Sequence, residues 1–111
     1  MIFQSILTQF QTLSSGTDAF KQLKQICEQS IPLATDSSEQ TALFLIYGFA
    51  KNYVLLYEDQ AVTSEFAQAA KQQLLDYMLK LDSAIQTGQK DLILDSLNQV
   101  TADYMRSSRV F

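Results

Sequence analysis

Apolar residues recur along this chain at steps of three and four. Phe3, Ile6, Phe10 and Leu13 make the first such stripe and predict a helix over residues 2–13, ended by Ser14, Ser15 and Gly16. Thr17 or Asp18 is placed to cap a second helix through its side-chain oxygen. That helix carries Phe20, Leu23, Ile26 and Cys27 on one face and runs to residue 30, because Pro32 lacks an amide hydrogen and disfavours the α conformation at Ile31. A third helix over 38–59 follows Asp36, Ser37 and Ser38, with Ser37 and Gln40 at capping-box spacing. Its apolar arc, which includes Ala42, Leu43, Ile46, Phe49, Ala50, Tyr53 and Val54, exceeds half the circumference and marks it as the central helix.

Thr63 or Ser64 caps a fourth helix over 64–87, where Ala67, Ala70, Leu74, Tyr77, Leu81 and Ala84 alternate at the spacing of near-parallel helix packing. Gly88 stands where a left-handed residue would end it. A fifth helix over 90–107 presents Ile93, Leu97, Val100 and Tyr104, with Asp91 in its first turn and Arg106 in its last, each suited to the helix dipole. No alternating apolar and polar run competes with these stripes. The expected fold is therefore all-α: residues 1–111 as a single-domain up-and-down bundle of four to five antiparallel helices. The apolar run at 42–50 stops at Lys51 and Asn52, well short of the roughly 20 residues of a membrane span, so no membrane partner is expected.

Composition narrows the chemistry. With 8 basic and 12 acidic side chains in 111 residues, the net charge is −4, which offers no electrostatic footprint for nucleic acid. The chain has no histidine. That removes Ser/His and Cys/His couples, zinc sites that need imidazole, and the Glu-x-x-His di-iron bundle. Cys27 is the single cysteine, so no internal disulfide can form; with no basic segment ahead of an apolar stretch at the start, a reducing, cytoplasmic setting is expected. The fourteen glutamines are dispersed over helix surfaces, not gathered in a disordered tract.

Among single residues, Asp91 and Asp95 are one turn apart and could reach one Mg²⁺, but no second carboxylate pair is seen to face them, so a solvated surface is expected and no metal or cofactor. Glu58 and Asp59 sit at the unfavourable end of a helix dipole, where they would mark a loop or meet a basic group. Lys51 falls on a polar stripe and reads as exposed, whereas Cys27 reads as a buried, unreactive thiol. Neither is expected to be catalytic, and the chain is expected not to be an enzyme.

Two function classes follow. Phe44, Gly48 and Leu55 on the third helix, and Leu75 and Leu79 on the fourth, place apolar residues on otherwise polar faces. With Lys51 they form the expected partner-binding set of an interaction protein that binds another protein, as an inhibitor or immunity-type protein would, or forms a homodimer. The alternative is a carrier or sensor that holds a small apolar ligand between helices, its pocket formed by Tyr47, Tyr53, Tyr77 and Tyr104.

Overall fold

The computed structural model describes residues 2–111, and the described residues form five α-helices, a short 3-10 turn and no strand. The helices are α1 (Ile2–Thr12), α2 (Thr17–Ser30), α3 (Ser37–Tyr57), α4 (Ser64–Gln86) and α5 (Lys90–Arg106), with the 3-10 turn at Ile31–Leu33. The protein is an all-α helical bundle with principal extents of 41 × 29 × 21 Å. α2 lies along α3 and α4 along α5, while α1 packs on α4 and α2.

The stripes read from the sequence are the buried ones. Phe3, Ile6 and Phe10, then Phe20, Leu23 and Cys27, then Leu43, Ile46 and Tyr53, then Leu74, Tyr77 and Leu81 are all nearly or completely inaccessible. Aromatic rings link every helix at the centre. Phe20 of α2 meets Phe10 of α1 edge-on at 5.6 Å between centroids and stacks on Tyr53 of α3 at 3.8 Å. Phe49 of α3 lies 5.5 Å from Tyr77 of α4 and 4.8 Å from Tyr104 of α5.

Helix ends depart from expectation in instructive ways. α2 begins at Thr17, and Gly16 is its cap, with φ of 124° and no side-chain hydrogen bond, so neither Thr17 nor Asp18 caps it. A left-handed backbone that only glycine adopts readily makes this turn. α3 is capped by Asp36, whose carboxylate accepts from the amides of Ser38 at 2.7 Å and Glu39 at 3.3 Å. The expected Ser37–Gln40 capping box is absent, because Gln40 instead donates backwards to the carbonyls of Ile31 and Ala34 and fastens the 3-10 turn. Thr63 caps α4 through the amide of Phe66 at 3.1 Å, and Gly88 ends that helix with φ of 68°.

α1, only 11 residues long, is held at both ends by charges from other helices. Buried Glu39 of α3 accepts from the amide of Phe3 at 2.6 Å. At the other end, the Lys71 ammonium of α4 donates to the carbonyl of Leu13 and lies 5.5 Å from the centre of the Phe10 ring. A carboxylate thus meets the positive pole of the α1 dipole and an ammonium the negative pole. Isolated helices this short are marginal in water, so these contacts and the apolar stripe hold α1 in place.

Removing Glu39 strands a buried amide. Glu39→Ala is expected to lower stability by about 1–3 kcal/mol in urea unfolding, and Glu39→Gln, which keeps an acceptor, to lower it less. An alanine variant as stable as the parent would show that Glu39 does not hold α1.

Candidate functional site

α3 is apolar around most of its girth, and the neighbouring helices do not cover all of it. Phe44 remains 64% exposed and Leu55 71% exposed, and both point away from the core. Between α3 and α5 lies a groove of about 360 Å³ lined by Phe44, Leu45, Gly48 and Phe49 on one side and by Leu97, Asn98 and Thr101 on the other, with Thr41 and Asn52 also in its lining. Two further concavities continue it. One runs toward Ile31 and Pro32 and shares Thr41 and Phe44, and the other runs toward Leu94 and shares Thr41 and Leu97. The three meet at Thr41, and the charged side chains lining them are Lys90 and Asp91 at one end.

Gly48 lies in the wall of this groove, and a Cβ built there meets nothing within 4 Å. Nothing among the described residues requires a glycine at that position. In mid-helix a glycine costs about 1 kcal/mol relative to alanine. Phe44, Gly48, Lys51 and Leu55 follow one another at steps of four, three and four, so they occupy one stripe of α3. Lys51 is exposed and makes no ion pair among the described residues, whereas Lys21 pairs with Glu58, Lys24 with Glu28, and Lys80 with Asp103.

The other residues singled out from the sequence are placed as follows. Leu75 packs against the core, and exposed Leu79 lies a turn further along α4; neither lines the α3–α5 groove. Glu58 at the end of α3 takes Lys21 of α2 as its basic partner, and the hydrogen bond that the Lys21 ammonium donates to the Glu58 carboxylate raises the Lys21 pKa. Asp91 and Asp95 are both exposed, and no group of three or more His, Cys, Asp or Glu residues converges among the described residues. Asp103, between Lys80 and Arg106, is held below the ordinary carboxylate range chiefly by the bond from Lys80, against a smaller effect of burial.

The four tyrosines of the expected ligand pocket do not surround a common space. Tyr47 is half-buried beside Phe44 at 6.0 Å. Tyr53 is fully buried against Phe20; burial, reinforced by Tyr57, raises its pKa, and its hydroxyl has no hydrogen-bond partner among the described residues. Tyr77 and Tyr104 do share a neighbour, the ring of Phe111, which lies 6.4 Å from Tyr77, 6.1 Å from Tyr104, 5.4 Å from Phe49 and 6.4 Å from Phe20. Residues 107–111 turn back after α5, Arg109 adopts φ of 51°, and the Tyr104 hydroxyl donates to the backbone oxygen of Phe111. The space between these rings is occupied by the chain itself.

Sequence reasoning missed the α5 wall of the groove. Leu97 was read only as an inward residue, yet it both packs against the core and lines the groove. The available signal was Leu94, an apolar side chain off the main α5 stripe.

Comparison of the chain with family models, with curated proteins and with solved structures gives no match in any of the three. No helix among the described residues is long and apolar enough to cross a membrane.

Cys27 is buried in α2, and burial pushes its thiol from 9.0 up to about 12. The folded protein is expected to resist a disulfide-exchange reagent at pH 8 and to react once in urea, because only the thiolate attacks. The raised value also has a stability consequence. Below the unfolded value the thiol is neutral in both states; as pH rises from 9.0 toward about 12 the unfolded thiol ionises first, so this residue's stabilising contribution is lost in that interval. Rapid labelling of the folded chain at pH 8 would show that Cys27 is accessible.

Proposed function

We propose that this protein is a non-catalytic interaction domain whose α3–α5 groove receives an apolar helix of another protein, with a carboxylate on that helix meeting Lys51. Supporting this reading, a nearly uncharged apolar groove runs along a wall where a mid-helix glycine has open space beside it. An amphipathic helix docked in a groove buries its apolar face there, and glycine in the wall allows its backbone to come close.

The unpaired Lys51 favours a partner of different sequence over a second copy. Residues 40–57 of α3 contain no acidic side chain, so two α3 stripes packed together supply Lys51 with no carboxylate from that stripe. Covering an ammonium without a counter-charge is costly. An acidic partner removes that cost. The absence of histidine and of a convergent carboxylate cluster among the described residues supports the non-catalytic part of the reading.

Two substitutions are expected to weaken binding without unfolding the chain. Gly48→Ala should stabilise the isolated chain by up to about 1 kcal/mol in urea unfolding and weaken capture of the partner. Phe44→Glu should abolish capture with little loss of helicity by circular dichroism. Zero-length carbodiimide cross-linking of the captured complex should join Lys51 to an aspartate or glutamate of the other protein. A cross-link to a second copy, with a dimer in sedimentation, would replace this reading with self-association. Capture unaffected by Phe44→Glu and Gly48→Ala would overturn the groove as the interface.

A further inference from the structure

The chain contains two asparagines against fourteen glutamines, and both asparagines, Asn52 of α3 and Asn98 of α5, line the same groove from opposite walls. Asparagine is a poorer helix former than glutamine, because its short amide competes for nearby backbone groups. Each one therefore weakens the helix that carries it. Nothing within the fold offsets that cost: both amides are exposed and neither is hydrogen-bonded among the described residues, whereas Gln40, Gln72, Gln73 and Gln86 each are. What the shorter side chain does provide is an amide held close to the groove wall on fewer rotatable bonds.

The two threonines of the groove are already satisfied. The Thr41 hydroxyl donates to the Ser37 carbonyl at 2.9 Å and the Thr101 hydroxyl to the Leu97 carbonyl at 2.8 Å, so an apolar surface can cover them at little cost. Covering Asn52 or Asn98 in the same way leaves N–H donors and a carbonyl acceptor dry and unpaired, a loss of about tenfold in affinity at each. A side-chain amide on the occupant answers both edges of an asparagine, since it donates and accepts at once, while a carboxylate only accepts. The two positions stand at different levels. Ser37 and Thr41 share a concavity with Lys90 and Leu94, and Gly48 and Asn52 share one with Asn98 and Thr101, so numbering rises in the same sense along both walls. Asn98 follows directly on Leu97, which lines both concavities, whereas Asn52 lies beyond Gly48 on the other wall.

We propose that Asn52 and Asn98 are the specificity-determining residues of the α3–α5 groove, and that its occupant is a helix whose apolar face is interrupted by a glutamine or asparagine opposite each. This inference rests on the helix docking proposed above and states the chemistry of the partner. A helix with an unbroken leucine face fits the apolar walls but strands two amides, so the groove rejects it in favour of one that is polar at two fixed levels. A lone asparagine in the seam of a coiled coil sets register by the same physics.

The probe is a phage-displayed library of amphipathic helices with the apolar-face positions randomised among leucine, alanine, glutamine and asparagine. It would be selected in parallel on the parent, on Asn52→Leu, on Asn98→Leu and on the double variant, with Phe44→Glu as the control for binding outside the groove. Each protein is first confirmed helical by circular dichroism and monomeric by sedimentation; if a leucine variant self-associates, Asn52→Ala and Asn98→Ala take its place. The parent is expected to retain helices with an amide at two face positions, each single variant to lose the demand at one of them, and the double variant to retain leucine at both. In a synthetic peptide of the selected sequence, replacing either amide by leucine should weaken binding to the parent about tenfold and leave binding to the double variant no weaker. If the parent and the double variant select the same residues, with retention still lost in Phe44→Glu, the amide specificity is overturned and the docking groove stands. If the parent retains no helix better than Phe44→Glu does, the groove reading and this inference fall together.

Discussion

The bundle depends on the aromatic contacts at its centre. Phe20 and Phe49 are the two hubs, the first touching α1 and α3 through Phe10 and Tyr53, the second touching α4 and α5 through Tyr77 and Tyr104. Phe111 touches both hubs. A small domain buries a modest fraction of its surface, and a fully buried phenylalanine contributes about 1.5–3 kcal/mol. A few large rings shared among all the helices thus account for a sizeable part of the apolar burial and also fix how the two hairpins face each other. The surface ion pairs, such as Lys24 with Glu28, are exposed and decide little by comparison.

What was legible in the sequence was local. Steps of three and four identify all five helices to within two residues at either end, because the buried face of a helix must repeat with its turn. Helix caps were legible only where the side chain nearest the boundary did the capping, as at Thr63. Asp36 was in view within its cluster, but the pair Ser37 and Gln40 looked better until Gln40 found carbonyls nine and six residues back in the chain. Gly16 caps by backbone freedom alone, which a search for oxygen-bearing side chains overlooks.

The candidate site was legible by half. Phe44, Gly48 and Leu55 announce themselves as misplaced on a helical wheel, whereas Leu97, Asn98 and Thr101 become a facing wall only when α5 crosses α3. Leu75 shows the opposite limit, since a residue that looks exposed on one helix can be partly covered by another. The tyrosines looked like pocket residues because they face inward. Nothing in their spacing shows that Phe111, across an irregular segment, supplies the ring that fills the space between two of them.

The contacts at the two ends of α1 solve a problem that hydrophobicity leaves open. A stripe of Phe3, Ile6, Phe10 and Leu13 would present much the same apolar ridge if the helix lay in its slot reversed, and burial alone separates the two arrangements poorly. Glu39 and Lys71 break that degeneracy, for a reversed α1 would bring carbonyls to the carboxylate and amides to the ammonium. These two side chains give the slot a direction, and so the bundle accepts its first helix in one sense of travel, with the chain emerging at the end where α2 must begin.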